Sequence, residues 1–567
     1  MLNRREFLEI ALATAALTAG TAPLGRLAAE QAITQDQLLA FEPKGQVTLL
    51  HLTDLHAQLT PVYFREPSIN LGIGPVAGLP PHVTGGAFLE RFGVSPGSFE
   101  AYMLSDQDFS SLAGTYGRVG GLDRIATLVK AIRAEREANT LLLDGGDTWQ
   151  GSWSALQTRG EDMIRAMARL APDAMTGHWE FTLGEERVRE LIDQLDFPFL
   201  GANVRDTDWE EPVFEQVARY ERGGVDVAVI GQAFPYTPIA NPRWMIPSWS
   251  FGIREDELAA LVEESRADGA QLVVLLSHNG FDVDRKLAGN VPGIDVILCG
   301  HTHDALPEPT IVDETLLIAS GTNGKFLSRL DLDVGSDGVR DFSYKLIPVL
   351  TDAVTPDQEM ADLITELRAP YEENLGEILG ETDVELYRRG NFNGTFDDVI
   401  CQALIESQDA EIALSPGFRW GTSLPAGAPI TAEFVHSHTA MTYPAVYRTE
   451  MTGEQLKLIF EDVADNLFNP DPYLQQGGDM VRVGGLSYRI DPSEAMSARI
   501  SEMTSTGTGE PIEAGKAYSV AGWASVNEGA EGPPIYDIVA DHIRAQSTLK
   551  AAPSGEVEIV GVAWPPQ

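Results

Sequence analysis

A chain of 567 residues, 43% hydrophobic and 22% charged, is long enough for two or three domains and a large core. Its formal net charge of −44 excludes nucleic acid and anionic membrane surfaces as partners, because a strongly acidic surface repels polyanions. The same charge repels anionic substrates, so a site that handles anions needs local positive charge, and bound metal ions are one source of it.

The chain opens MLNRREFLEIALATAALTAG, with Arg4–Arg5 ahead of Phe7–Leu8 and an alanine-rich apolar stretch. This resembles a twin-arginine export signal over residues 1–29, with Ala28 and Ala29 at a candidate cleavage point, and it implies a periplasmic protein. The stretch is short and contains Glu9, so no membrane anchor is expected.

Residues 46–52 (QVTLLHL) form a short β-rich run, expected to be a buried strand. Residues 57–117 read as a long loop rich in Pro, Gly and Ser, and such loops are usually functional. Helical periodicity follows over 120–138, then a strand at 140–143. The alternation continues with a helix near 160–170 and strands at 197–200 and 225–231. A helix at 255–267 precedes strands at 272–276, 296–299 and 315–319. This rhythm predicts an α/β domain over 30–350. An acidic helical stretch at 357–378 is expected to link it, within 351–380, to a second domain at 381–567. Helices are expected there near 396–407 and 453–466. Cys299 and Cys401, the only cysteines, sit in apolar runs and are expected to be small buried residues.

Metal-binding residue types recur at the strand ends. Asp54 and His56 follow the first strand, and Asp147 follows the second in DGGDTWQGS. His178 lies in TGHWEFT, His278 ends LVVLLSHNG, and His301 and His303 lie in GHTHD. The chain has ten histidines, and these points hold five. In an open α/β sheet, ligands gather outside the carboxyl ends of the strands. Imidazole with carboxylate suits Mn²⁺, Fe or Zn²⁺ and not Ca²⁺. Seven donors exceed the needs of one ion and suit two, with a carboxylate such as Asp147 between them. Asp144 is expected to brace the turn, and Asp304 either to support a ligand or, as the preferred reading, to be solvated.

On the strings LLHLTDLHAQL, LLLDGGDTWQGS, GHWEFTLG, LLSHNG and GHTHD, in that order, the chain resembles the binuclear metallophosphoesterases of the 5′-nucleotidase branch. The likeness spans roughly 45–560 and is looser in the second half. It implies a four-layered catalytic domain, with sandwiched β-sheets flanked by helices, and a smaller C-terminal α/β domain that binds substrate. It also implies that Asp54, His56 and His303 hold one ion, that His178, His278 and His301 hold the other, and that Asp147 bridges. Such an enzyme is a hydrolase that uses metal-activated hydroxide.

One departure sharpens the expectation. The family reads Gly-Asn-His-Glu-Phe-Asp where this chain reads Gly177-His178-Trp179-Glu180-Phe181-Thr182. The ligating Asn becomes His178, and both halves of a catalytic His–Asp dyad become Trp179 and Thr182. A phosphate ester expels an alkoxide, which benefits from a proton donor. A thiol, with a pKa of about 8.5, leaves without one. GHWEFT, HAQLTPVYFREPSINLG and ALSPGFRWG also resemble the thiosulfohydrolases of bacterial sulfur oxidation, the SoxB group. That likeness implies two Mn²⁺ ions and a sulfur carrier protein, SoxYZ, whose cysteine S-thiosulfonate is cleaved to release sulfate. Arg419 is the candidate for the sulfonate oxygens, Trp179 a candidate wall of the site, and Tyr63, Phe64 and Pro67 either line a channel or merely pack the loop. No residue is assigned as a general acid. The alternative is a periplasmic 5′-nucleotidase or related phosphoesterase.

Overall fold

The computed structural model describes residues 33–336, 338–550, 553 and 555–561; the expected export signal at 1–29 lies outside them. The first half is built on two sheets. Its strands are β1 (Val47–Leu52), β2 (Thr140–Asp144), β3 (Ala174–Met175), β4 (Val217–Arg222), β5 (Val225–Gln232), β6 (Leu272–Ser277), β7 (Val296–Cys299), β8 (Thr310–Val312), β9 (Thr315–Ala319), β10 (Phe326–Gly335) and β11 (Gly338–Pro348). One sheet has the order β11-β10-β1-β2-β3 and the other β8-β9-β7-β6-β5-β4. The centre of each is parallel: β1 with β2, and β5 with β6 with β7.

Every residue of β1, β2, β6 and β7 is buried. That is why they read as unbroken apolar runs: a parallel sheet covered on both faces has no polar side. Side chains alternate between the two faces. Val47, Leu49, Leu141, Leu143, Leu272, Val274 and Leu276 fill the space between the sheets. Leu50, Leu52 and Leu142 meet Ile125, Leu128, Val129 and Ile132 of the helix Leu122–Arg136 on one outer face. Val273 and Leu275 meet the helices Glu255–Ala267 and Phe281–Asn290 on the other. The result is the expected four layers, helix–sheet–sheet–helix.

The second half is a smaller α/β unit. Its central sheet runs Val446–Thr452, Ala517–Trp523, Ile412–Ser415, Arg482–Gly484 in spatial order. The helices Thr395–Gln408 and Ile535–Gln546 share an apolar core with that sheet. Among the described residues no helix is long and apolar enough to cross a membrane.

Three expectations are corrected. Residues 57–117 are not a bare loop: they hold the helices Gly85–Phe92, Phe99–Leu104 and Phe109–Tyr116, which are too short to show a clear period. Residues 197–200 form only single bridges, Met175 to Phe199 and Leu200 to Glu215, beside the edge strand β3. The linking helix at 357–378 is two helices, Gln358–Arg368 and Glu372–Leu375, and Ile378 already begins a strand. Cys299 and Cys401 are buried and unpaired, as expected.

Candidate metal centre

Register brings the donors together. Leu52 of β1 pairs with Asp144 of β2, and Ser277 of β6 pairs with Cys299 of β7, so the carboxyl ends lie flush. Asp54, Asp147, His278 and His301 leave those ends within a few residues. The loops after β1 and β2 are then knitted by backbone bonds, Asp54 N to Gly146 O and His56 N to Asp147 O, each 2.8 Å. Five of the expected ligands adopt left-handed φ: Asp54 (53°), His56 (46°), Asp147 (56°), His301 (73°) and His303 (61°). Side chains other than glycine rarely adopt this conformation, and it costs about 1–3 kcal/mol per residue, so packing must hold each loop in place. Gly146 is required here: a Cβ on it would stand 2.9 Å from Gly177 Cα.

All seven expected donors converge. Asp147, His178, His278 and His301 form one group and Asp54, His56, Asp147 and His303 the other. In each, one ligand atom per residue lies within 4.8 Å of the rest, and every member is buried. Asp147 is common to both. Its Oδ2 lies 3.2 Å from His278 Nε2, 3.4 Å from His178 Nδ1 and 3.7 Å from His56 Nε2. Asp54 Oδ1 lies 3.1 Å from His303 Nε2, and the Nε2 atoms of His56 and His303 are 3.1 Å apart.

The donor set fits two cations. Nδ1 of His178, Nε2 of His278 and Nε2 of His301 are buried and lack a hydrogen-bond partner, which polar atoms in a protein interior seldom do. Burial opposes charge on Asp147, yet His278 and His178 hold its carboxyl well below the usual range; burial opposes charge on Asp54 too, but His303 and His278 lower its carboxyl below the ordinary value. Burial opposes charge on His278 too, but Asp147 and Asp54 outweigh it and raise its pKa to about 10. Burial lowers His56 to about 4. Two buried carboxylates lie beside imidazoles such as His56 and His301 that burial keeps neutral, an environment whose unmet demand for positive charge a divalent ion satisfies.

Several further residues support the donors, of which Phe234 and Asn241 carry no signal in the sequence. Glu180 accepts from the backbone N–H groups of Thr148 (2.6 Å), Trp149 (3.2 Å) and His178 (2.8 Å), tying the loops of Asp147 and His178 together. Phe234 stacks on His301 with centroids 4.1 Å apart. Asn241 Oδ1 lies 3.2 Å from His178 Nε2. Asp144 braces the turn as expected, accepting from Gly146 N and Thr148 Oγ1, and burial raises its pKa to about 8. Asp304 is corrected: it is buried, accepts from Asn70 Nδ2 at 3.1 Å and pairs with Arg389 at 3.4 Å.

The centre opens into a cavity of about 470 Å³ between the two halves. Asp147, His178 and His301 line one side, and Phe418, Arg419 and Asp479 the other. Gly477 comes so close that a Cβ there would stand 2.7 Å from His301 Nε2. Trp179 also lines the cavity. Its backbone N–H donates to Asp147 Oδ1 at 2.8 Å, and its ring meets Phe418, Trp420 and Tyr443. Arg419 donates from Nη2 to Gly478 O at 2.8 Å and sets Nε 3.5 Å from Asp479, leaving Nη1 buried without a partner. Behind it runs an alternating ladder: Asp479 to Arg482 (3.2 Å), Arg482 to Asp397 (3.4 Å), Asp397 to Arg388 (2.6 Å). Arg388 then donates to Pro416 O at 3.0 Å, closing the clamp on the Arg419 loop. Of the two readings of Tyr63, Phe64 and Pro67, loop packing is the one seen: Phe64 and Pro67 are buried, and Tyr63 packs beneath Arg118. Asn70, Leu71 and His82 from the same segment line a small second cavity that also touches Arg419.

Residues 47–305 match the model of the calcineurin-like phosphoesterases, and residues 378–541 match that of the 5′-nucleotidase C-terminal domain. The 5′-nucleotidase of Rattus norvegicus is 25% identical over 472 residues, covering 73% of this chain and 78% of that one. The solved sulfate thiohydrolase SoxB of Thermus thermophilus, in complex with glycerol, superposes with a TM-score of 0.90 at 35% identity, covering 93% of this chain and 98% of that one. A 5′-nucleotidase precursor, also of Thermus thermophilus, shares the fold, with a TM-score of 0.73 at 22% identity, covering 91% of this chain and all of that one. The chain belongs to the metallophosphoesterase hydrolases of 5′-nucleotidase type, in the family that includes SoxB.

Proposed function

We propose that the protein is a thiosulfohydrolase that releases sulfate from a cysteine S-thiosulfonate on a carrier protein of the SoxYZ kind. Asp54, His56 and His303 would hold one divalent ion, His178, His278 and His301 the other, with Asp147 between them. Manganese is the metal implied by the likeness to the SoxB group. When bound, two such ions supply Lewis acidity, which makes water nucleophilic near neutral pH and offsets the charge of a sulfonate.

The chain's own residues do the rest. Arg419 offers Nη1 to a sulfonate oxygen, and its guanidinium fork suits an oxyanion. Asp479 and Gly478 aim that fork. Trp179, walled by Phe418, Trp420 and Tyr443, keeps water from one side of the cavity. Water attacks the terminal sulfur, the sulfur–sulfur bond breaks, and the carrier keeps a persulfide. One water is consumed, and sulfate and two protons are released. The persulfide leaves as an anion, so no proton donor is needed.

The observation that carries this reading is Trp179. It fills the position of the family's catalytic His, and Thr182, which would have to be the partner Asp, instead donates to Trp179 O at 2.7 Å. The nucleotidase alternative is less well served. Phe418 and Trp420 stack on each other with centroids 5.5 Å apart. A base between two rings needs about twice the 3.5 Å contact distance. The proposed compartment is the periplasm, reached by the twin-arginine route, on the strength of Arg4–Arg5 and the apolar stretch after them. The test is sulfate release from thiosulfonated carrier, with and without chelator, beside phosphate release from AMP. Turnover of AMP without sulfate release would overturn the proposal.

A further inference from the structure

His178 stands where the family has an asparagine, and an imidazole poses a problem that an amide does not: only one of its nitrogens carries the lone pair a cation needs. Nδ1 of His178 is buried, has no hydrogen-bond partner and faces Asp147 Oδ2 at 3.4 Å. If Nδ1 is the donor, the proton must sit on Nε2. Nε2 lies 3.2 Å from Oδ1 of Asn241, a residue only 3% exposed. A carbonyl oxygen there accepts a hydrogen bond from Nε2–H and has no proton to give. His278 solves the same problem with the opposite nitrogen: its Nδ1 is 2.6 Å from Gly145 O, and its Nε2 faces Asp147.

The amide itself is held from the other half of the molecule. Asn241 Nδ2 donates to Tyr443 Oη at 3.3 Å. A reversed amide would present N–H to Nε2, put the proton on Nδ1 and remove the donor. Tyr443 in turn stacks on Trp179, with centroids 6.3 Å apart and planes 12° from parallel. A continuous chain, His178–Asn241–Tyr443, therefore joins one cation group to the wall of the cavity.

We propose that Asn241 is a positioning residue: it fixes His178 as the Nε2–H tautomer and so makes Nδ1 a ligand in the His178–His278–His301 group. This rests on the two-ion reading above and not on the identity of the substrate. Groups of this kind, one bond away from a ligand, typically change metal affinity 10–100-fold when removed.

The test is titration of the metal-free full-length chain with Mn²⁺, followed by calorimetry and by electron paramagnetic resonance of the bound ions. In the Asn241→Leu variant, which keeps bulk and loses the acceptor, one of the two ions is expected to bind about 10–100-fold more weakly, with the other unchanged. Asn241→Asp keeps an acceptor at Nε2 and is expected to restore binding. Tyr443→Phe is expected to give a smaller loss at the same ion. Wild-type affinity for both ions in Asn241→Leu, or equal weakening in Asn241→Leu and Asn241→Asp, would overturn the proposal. A wild-type chain that takes up fewer than two ions would overturn it together with the two-ion reading. Sulfate release plays no part in these readouts, so failure of the substrate assignment is seen separately.

Discussion

The Oδ2 atom of Asp147 lies 3.2 Å from Nε2 of His278, with both side chains almost wholly buried. The two belong to different sheets, Asp147 following β2 and His278 following β6, so their meeting depends on the sandwich itself. Asp147 is also the one residue common to both donor groups. Asp147→Ala is expected to remove more than one ligand's worth of binding. Metal content should fall from about two ions toward one or none, and sulfate release by about 10³-fold or more, since metal-ion catalysis is worth several kcal/mol and each 1.36 kcal/mol is tenfold. Elemental analysis beside the activity assay checks this; two retained ions would refute the bridging role.

Metal removal should be visible in stability as well as in activity. Asp54 and Asp147 are buried carboxylates whose neighbours include neutral imidazoles. A ligand that binds only the folded state stabilises it, by about 2.7 kcal/mol at 100 times its dissociation constant. Mn²⁺ is therefore expected to raise the Tm of the chelated chain by several degrees, and chelator to lower it again. An unchanged melting curve on full metal loading would show that the donors do not hold the ions in the folded chain.

How much of this was legible in the sequence follows from the physics of each part. Apolar runs such as VTLLHL and LVVLLS announce strands buried on both faces, and the donors just after them are local in sequence. Short helices at 85–116 were hidden because they carry too few turns to show a period. The Asp479–Arg482–Asp397–Arg388 ladder was invisible for another reason: it joins separate chain segments, and no spacing rule connects them. Asn241 was missed likewise, since its partners are 63 and 202 residues away. Asp304 looked solvated because nothing local marks Arg389 and Asn70 as its partners.

Arg419 and Asp479 can be separated by two substitutions. Arg419→Lys keeps a positive charge and loses the fork, and charge-assisted bonds are worth about 1.5–3 kcal/mol. A fall of about 10–100-fold in kcat/KM, carried mainly by KM, is expected with little change in Tm. Asp479→Asn acts from behind. It leaves Arg419 and Arg482 without the carboxylate between them, and breaking a buried pair typically costs about 3–5 kcal/mol. This variant should lose both KM and stability, by urea denaturation. Equal stability in the two variants would show that the ladder does not brace the loop.

A pH dependence of folding is expected from Asp284, which lies in the first turn of the helix Phe281–Asn290 and takes no part in the donor groups. It accepts from Ser277 Oγ at 2.6 Å and Asn279 Nδ2 at 3.1 Å, and burial raises its pKa from the ordinary 3.8 to about 7. The sign follows from proton counting. Between those two values the folded chain keeps the proton and the unfolded chain loses it, so folding takes up a proton and stability falls as pH rises. Above about 7 both states are ionised and the contribution levels off. Asp284→Asn, uncharged at every pH, removes this term. The stability of the variant relative to wild type should therefore rise between about pH 4 and pH 7, by a few kcal/mol in total, since each pKa unit is worth about 1.4 kcal/mol. Urea denaturation of both chains across that range, at fixed metal loading, measures it. A constant difference would show that Asp284 is ionised in the folded protein throughout.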